Sequence, residues 1–147
     1  MENLCKLTDG EKRCDISRIN LDVKYLRGKG QGETSASGKF VSAGSTMILV
    51  DGENSGEIFT TDIDGYQGTT FKLLDINKEM YKPFILYIIK SYQKQFRENK
   101  IGSAIPHLNK KLFKKICVAV PPIKEQQRIV KKIDQLLEVI DSISAEL

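Results

Sequence analysis

The chain is 147 residues long, 40% hydrophobic and 29% charged, with a formal net charge of +4. That is apolar material for one domain with an appendage, and the longest apolar-rich run, Phe84 to Ile89, is far too short to cross a bilayer. Cys5, Cys14 and Cys117 form no CxxC pair and follow no secretory signal. They read as reduced thiols of a cytoplasmic protein with no membrane partner.

The first seventy residues are punctuated by glycine, and the runs between glycines predict short antiparallel strands. They are Phe40–Val41, Thr46-Met-Ile-Leu-Val50, Glu57-Ile-Phe-Thr60 and Thr69-Thr-Phe-Lys-Leu-Leu74. Asp51-Gly52 and Asp64-Gly65 are tight-turn dipeptides. A helix is expected next: Pro83 suits its first position, and Phe84, Ile88, Tyr92 and Phe96 recur every fourth residue beside Ile85 and Ile89. Lys90, Lys94 and Arg97 fall on its flanks and far side, and Gly102 closes it. After an irregular segment, Ile116-Cys-Val-Ala-Val120 predicts an apolar strand, stopped by Pro121-Pro122.

Residues 124–147 hold no Gly or Pro and carry a heptad seam of Val130, Ile133, Leu137, Ile140 and Leu147, with Ser144 the one polar interruption. Ile129, Leu136 and Ile143 widen the stripe. A helix of this length, about 36 Å at 1.5 Å per residue, has to bury that face, either against a helix of another chain or back on its own domain. The proline pair and the sustained heptads favour another chain.

Charge is unevenly distributed. Residues 1–71 carry eight basic against eleven acidic residues, 72–132 fifteen against four, and 133–147 none against four. A basic middle between acidic ends is expected where one surface faces a polyanion; a solvated, lysine-rich helix face is the plainer account, and charge alone leaves the two even.

No catalytic set emerges. His107 is the only histidine, which excludes a multi-histidine metal site, and no cysteine pair has zinc spacing. Gly28-Lys-Gly-Gln-Gly32 lacks the order of a phosphate loop. There is neither an Asn-Pro-Pro-Tyr methyltransferase signature nor a nuclease-like Pro-Asp…Glu-x-Lys cluster. The expectation is a non-enzyme without a cofactor or metal.

Gly102-Ser-Ala-Ile-Pro-His-Leu-Asn109, Phe113-Lys-Lys-Ile116, Val120-Pro-Pro-Ile-Lys-Glu-Gln-Gln-Arg-Ile-Val130 and Ile133-Asp134 resemble the specificity subunits of type I restriction-modification systems. Gly44-Ser-Thr-Met-Ile-Leu-Val50, Gly56-Glu-Ile-Phe59 and Gly68-Thr-Thr-Phe71 are similar to the core strands of their recognition domains. The resemblance implies an α+β fold: a β-rich target recognition domain over residues 1–122, followed by a long C-terminal coiled-coil helix over 123–147. It implies that the domain reads DNA while methylation and cleavage belong to other subunits. Its partners would be double-stranded DNA, a DNA methyltransferase subunit with or without a restriction subunit, and a second copy of the chain through the C-terminal helix.

The family's usual subunit has two recognition domains and two spacer helices, whereas one of each is present here, along with little of the usual leader. Those departures point to a half-subunit that pairs with itself or to a fragment. Base-reading candidates are the polar loop residues Arg27, Lys29, Gln31, Asn54 and Gln67; Lys100, Ser103, Lys110 and Lys111 are expected to meet phosphates. His107 is expected to be a structural turn residue. Alternatives are the recognition domain of a single-chain restriction-modification enzyme and an adaptor acting through its coiled coil. Salt-dependent duplex binding separates the adaptor from both.

Overall fold

A computed structural model describes all 147 residues. Its centre is an antiparallel sheet in the order β1 (Cys5–Thr8), β9 (Phe71–Ile76), β6 (Thr46–Leu49), β7 (Ile58–Thr60). The strand β6 explains the layering. All four of its residues are buried, and alternation sends them to opposite faces. Ile48 and the following Val50 join Phe84, Ile85, Ile89, Phe96, Phe113 and Val130 in the main core. Met47 and Leu49 join Leu21, Val41 and Phe71 in a second core on the other face. A strand buried on both faces reads as a continuous apolar run rather than an alternating one, as Thr46 to Val50 does.

Over the second core lies a mixed sheet ordered β2 (Glu11–Arg13), β5 (Gly38–Val41), β8 (Gly65–Gln67), β3 (Arg18–Leu21), β4 (Thr34–Ser35). Its one parallel pairing joins β3 to β8. Its short polar strands carry little periodic signal, so β2, β3, β4 and β8, like β1, were not expected from sequence. Asp51-Gly52 forms a turn, with Gly52 at φ +106°. Asp64-Gly65 does not: Gly65 sits inside β8, where an added Cβ would lie 2.7 Å from Leu21 Cγ and 2.9 Å from the Ile19 carbonyl. That glycine serves close strand packing.

The opposite face is covered by helices: α2 (Lys82–Ser91), α3 (Gln93–Glu98), α4 (Lys110–Lys115) and the start of α5 (Ile123–Glu146), while the short α1 (Val23–Leu26) flanks β3. The helix expected from Pro83 to Gly102 breaks at Tyr92, whose N–H bonds back to the Ile89 and Lys90 carbonyls. The break lets Phe96 reach full burial while Tyr92 stays half-buried. The strand expected over Ile116–Val120 does not form. Ile116 and Val118 turn inward and Cys117 and Ala119 outward, but no strand pairs with the segment. Its alternation records side-chain burial without a backbone ladder.

The C-terminal helix is divided by its environment. Gln126 and Val130 are buried and Ile129 and Ile133 half-buried against the domain, whereas Leu136, Leu137, Val139, Ile140, Ile143 and Leu147 are exposed. Val130, expected on an intermolecular seam, therefore belongs to the chain's own core, because α2 lies against the first turns of α5. No helix is long and apolar enough to cross a membrane.

Candidate nucleic-acid interface

A cleft of about 290 Å³ opens beside the β7 edge of the central sheet, lined by Arg27, Lys29, Asn54, Glu57, Gln93 and Arg97. Every lining side chain is a hydrogen-bonding one, with three cations to one carboxylate. Three chain segments far apart in sequence meet there: the loop after α1, the turn between β6 and β7, and α3.

Each segment has a local reason for its position. Asp22 caps α1, its carboxylate accepting the Tyr25 N–H at 2.8 Å. The chain then unwinds through Arg27 and Gly28, and the Lys29 N–H bonds to the Lys24 carbonyl. The β6–β7 turn is held from within by Ser55, whose buried hydroxyl donates to the Gly52 carbonyl at 2.6 Å. Gly56 brings that turn against α3. Its φ is +99°, and a Cβ there would stand 2.9 Å from Phe96 Cβ. Phe96 is buried, so its helical neighbours Gln93 and Arg97 are left facing the cleft. Lys100 ties the turn from below, its ammonium donating to the Glu53 carbonyl at 3.0 Å and to the Glu53 carboxylate at 2.6 Å.

Within the cleft Arg27 Nη2 bonds to Glu57 Oε2, and the guanidinium lies 5.9 Å from the Phe59 ring centroid. Lys29 and Arg97 make no ion pair and no side-chain hydrogen bond within the chain, so their charges are free to meet an anion.

The structure thus gathers Arg27, Lys29 and Asn54 from the sequence candidates and disperses the others. Gln31 is exposed in the same loop but does not line the cleft. Gln67 is occupied internally: its carbonyl accepts the Gly10 N–H at 2.9 Å, and its amide donates to Asp9 at 2.8 Å and to the Phe71 carbonyl at 2.7 Å. Ser103 is exposed in the 101–109 segment. Lys110 lines another cleft with Lys6, Lys72 and Lys114 beside β1, the opposite edge of the central sheet, and Lys111 is exposed next to it on α4.

His107 Nδ1 lies 2.6 Å from Asp51 Oδ1, and its backbone exchanges two hydrogen bonds with Ile101, fastening that segment to the β6–β7 turn. Gln93, Arg97 and Glu57 were missed as site residues. The i, i+4 pair Gln93 and Arg97 beside a core Phe96 was the available signal. The Asp9 carboxyl, on which Lys72, Gln67 and Lys39 converge, is held well below the usual carboxylate range, the Lys72 hydrogen bond being the largest cause.

The class defined by this fold is a mixed α+β domain carrying a projecting C-terminal helix. Residues 17–147 match the model of the type I restriction modification DNA specificity domain, and the chain belongs to that family. It is 31% identical over 107 residues to the type I restriction enzyme MjaVIII specificity subunit of Methanocaldococcus jannaschii, covering 73% of this chain and 25% of that protein. It is 31% identical over 106 residues to the EcoDI specificity subunit of Escherichia coli, covering 70% and 23% respectively. The chain therefore spans about a quarter of the length of these relatives.

Among solved structures, the HsdS subunit from Thermoanaerobacter tengcongensis superposes with a TM-score of 0.73 at 16% identity, over 97% of this chain and 37% of that one. The S subunit from M. genitalium does so at 0.65 and 19% identity, over 98% and 39%. A chain from a structure of type I restriction-modification complex assembly reaches 0.75 at 15% identity, over 97% and 38%. These likenesses are of fold.

Proposed function

We propose that this chain is the DNA-reading module of a type I restriction-modification specificity subunit, with no catalytic chemistry of its own. It directs a methyltransferase subunit, and through it a restriction subunit, to a bipartite site. The observation that carries the reading is the Arg27–Lys29–Asn54–Gln93–Arg97 cleft. Two unpaired cations there suit phosphates, while two amides and a guanidinium have the donor and acceptor patterns that distinguish base edges. Membership of a DNA specificity family supports it.

Residues 1–122 supply recognition and 123–147 the spacer, and two copies pair through the exposed half of α5. Leu137, Ile140 and Leu147 are the seam residues left open for this pairing, with Ile133 at its margin. Two recognition domains related by a twofold axis would then read an inverted repeat with an unread gap.

The test is fluorescence anisotropy of the purified chain on duplex DNA, followed by methylation assays with and without a methyltransferase subunit of such a system. Expected are salt-sensitive duplex binding and methyl transfer only when that subunit is added. Methylation or cleavage by the chain alone, or absence of DNA binding at low salt, would refute the proposal.

A further inference from the structure

We infer that Arg27 is the guanine-reading residue of the cleft and that Glu57 and Phe59 hold it in reading position. The inference rests on the cleft being the DNA interface and goes beyond it in naming one base and one side chain.

Three cations line the cleft, and they are not held alike. Lys29 and Arg97 make no side-chain hydrogen bond and are free to swing, which suits contact with a phosphate, a target approachable from many directions. Arg27 is fixed twice: Glu57 engages Nη2, and the guanidinium sits over the Phe59 ring, which packs edge-on against buried Phe71 at 5.5 Å between centroids. The restraint therefore runs from the second core through Phe59 to Arg27. Glu57 takes one of the two Nη2 hydrogens and no intrachain bond uses Arg27 Nε or Nη1, so the other Nη2 hydrogen and its neighbouring donor leave one bidentate edge of the guanidinium available. A planar fork presented in one orientation matches the O6 and N7 acceptors of guanine in the major groove. Fixing it before binding removes ordering cost from the encounter.

Glu57 supplies the second part of the argument. A carboxylate beside a phosphate is repelled, so a cation already paired with Glu57 is poorly suited to the DNA backbone. A base edge carries no formal charge and tolerates the carboxylate. Glu57 is thus a positioning residue, acting through Arg27.

The experiment is selection of the full chain on a pool of duplexes carrying a randomised segment, with sequencing of the bound fraction, for wild type and four variants whose folding is checked by circular dichroism. Wild type should select guanine at a half-site position. Arg27→Lys and Glu57→Gln should flatten the preference at that one position, by about tenfold or more for Arg27→Lys, and leave neighbouring positions intact. Lys29→Ala and Arg97→Ala should lower affinity for every sequence alike and preserve the motif.

A wild-type motif without guanine overturns the inference. So does an Arg27→Lys variant that keeps the motif while binding all sequences more weakly, since Arg27 would then be a phosphate contact. If no variant at any of the four positions changes affinity or motif, the cleft is not the DNA interface, and this inference falls together with the assignment of the cleft.

Discussion

The Tyr87 hydroxyl in α2 donates a hydrogen bond to the Asp134 carboxylate in α5. Eight residues earlier in α5, Gln126 makes the other polar tie: its carbonyl accepts the Tyr81 N–H at 3.0 Å, and its amide donates to the Pro121 carbonyl at 2.8 Å. Ile129 and Val130 pack against the core between these two ties, Ile133 is half-buried, and beyond Asp134 every residue of the helix is exposed. The helix therefore leaves the body of the fold at Asp134, in a direction set by its docked first turns.

Tyr87→Phe should loosen that exit with a modest loss of stability, below about 1 kcal/mol because solvent competes at the surface. The bond to Asp134, the largest cause, raises the Tyr87 pKa above its ordinary value. A folded-state value raised above the unfolded one means that the contribution is fully present below the ordinary tyrosine range and is lost as pH rises through the raised value. Urea melts of both proteins should therefore differ near neutral pH and converge in strong alkali.

Gln126→Leu should cost more, on the order of 1–3 kcal/mol, because it leaves the Tyr81 N–H and the Pro121 carbonyl without their partner. Chemical denaturation measures the loss, and amide exchange should show faster opening at Tyr81.

The two halves of α5 should answer differently to charge. Leu137→Lys with Ile140→Lys should abolish self-association and leave the melt nearly unchanged. Val130→Lys should destabilise the fold itself by at least about 3 kcal/mol, since it removes a buried valine and buries an ammonium. Sedimentation velocity at tens of micromolar decides the first; a monomeric wild type would retire the pairing proposal.

Duplex affinity should fall on the order of a thousandfold between about 50 and about 200 mM salt if roughly six phosphates are engaged. Charge reversal at Lys110 and Lys111 should weaken all sequences about equally and by less than reversal at Lys29 and Arg97, which line the cleft. Anisotropy titrations at several salt concentrations test both statements. A loss confined to one sequence would make Lys110 and Lys111 base readers.

Asp9 links three strands through Lys72, Gln67 and Lys39. Its depressed ionisation contributes stability that is present above the ordinary aspartate range and is lost as pH falls through the lowered value. Asp9→Asn should destabilise the protein at neutral pH and narrow the gap to wild type in strong acid, as followed by thermal melts.

Much of this architecture was legible along the chain. The Thr46–Val50 run announced a strand, Pro83 and the stripe from Phe84 announced α2, and the segment from Gly102 to Asp134 carried the family resemblance. The site was legible only in part. Arg27, Lys29 and Asn54 stood out as polar residues among glycines, but Gln93 and Arg97 joined them only because Gly56 admits Phe96 against the β6–β7 turn. Gln67 had the same sequence credentials as Asn54, and the Asp9–Gly10 loop, distant in sequence, consumed its amide.

The heptad stripe marks the boundary between the two kinds of information. Its spacing runs with little change from Val130 to Leu147, so the sequence by itself determined that one face of α5 is apolar. Which part the chain covers was decided by tertiary structure. Periodicity records the face of a helix, whereas burial depends on where α2 and its Tyr81, Phe84 and Tyr87 come to lie, and α2 reaches only as far as Asp134.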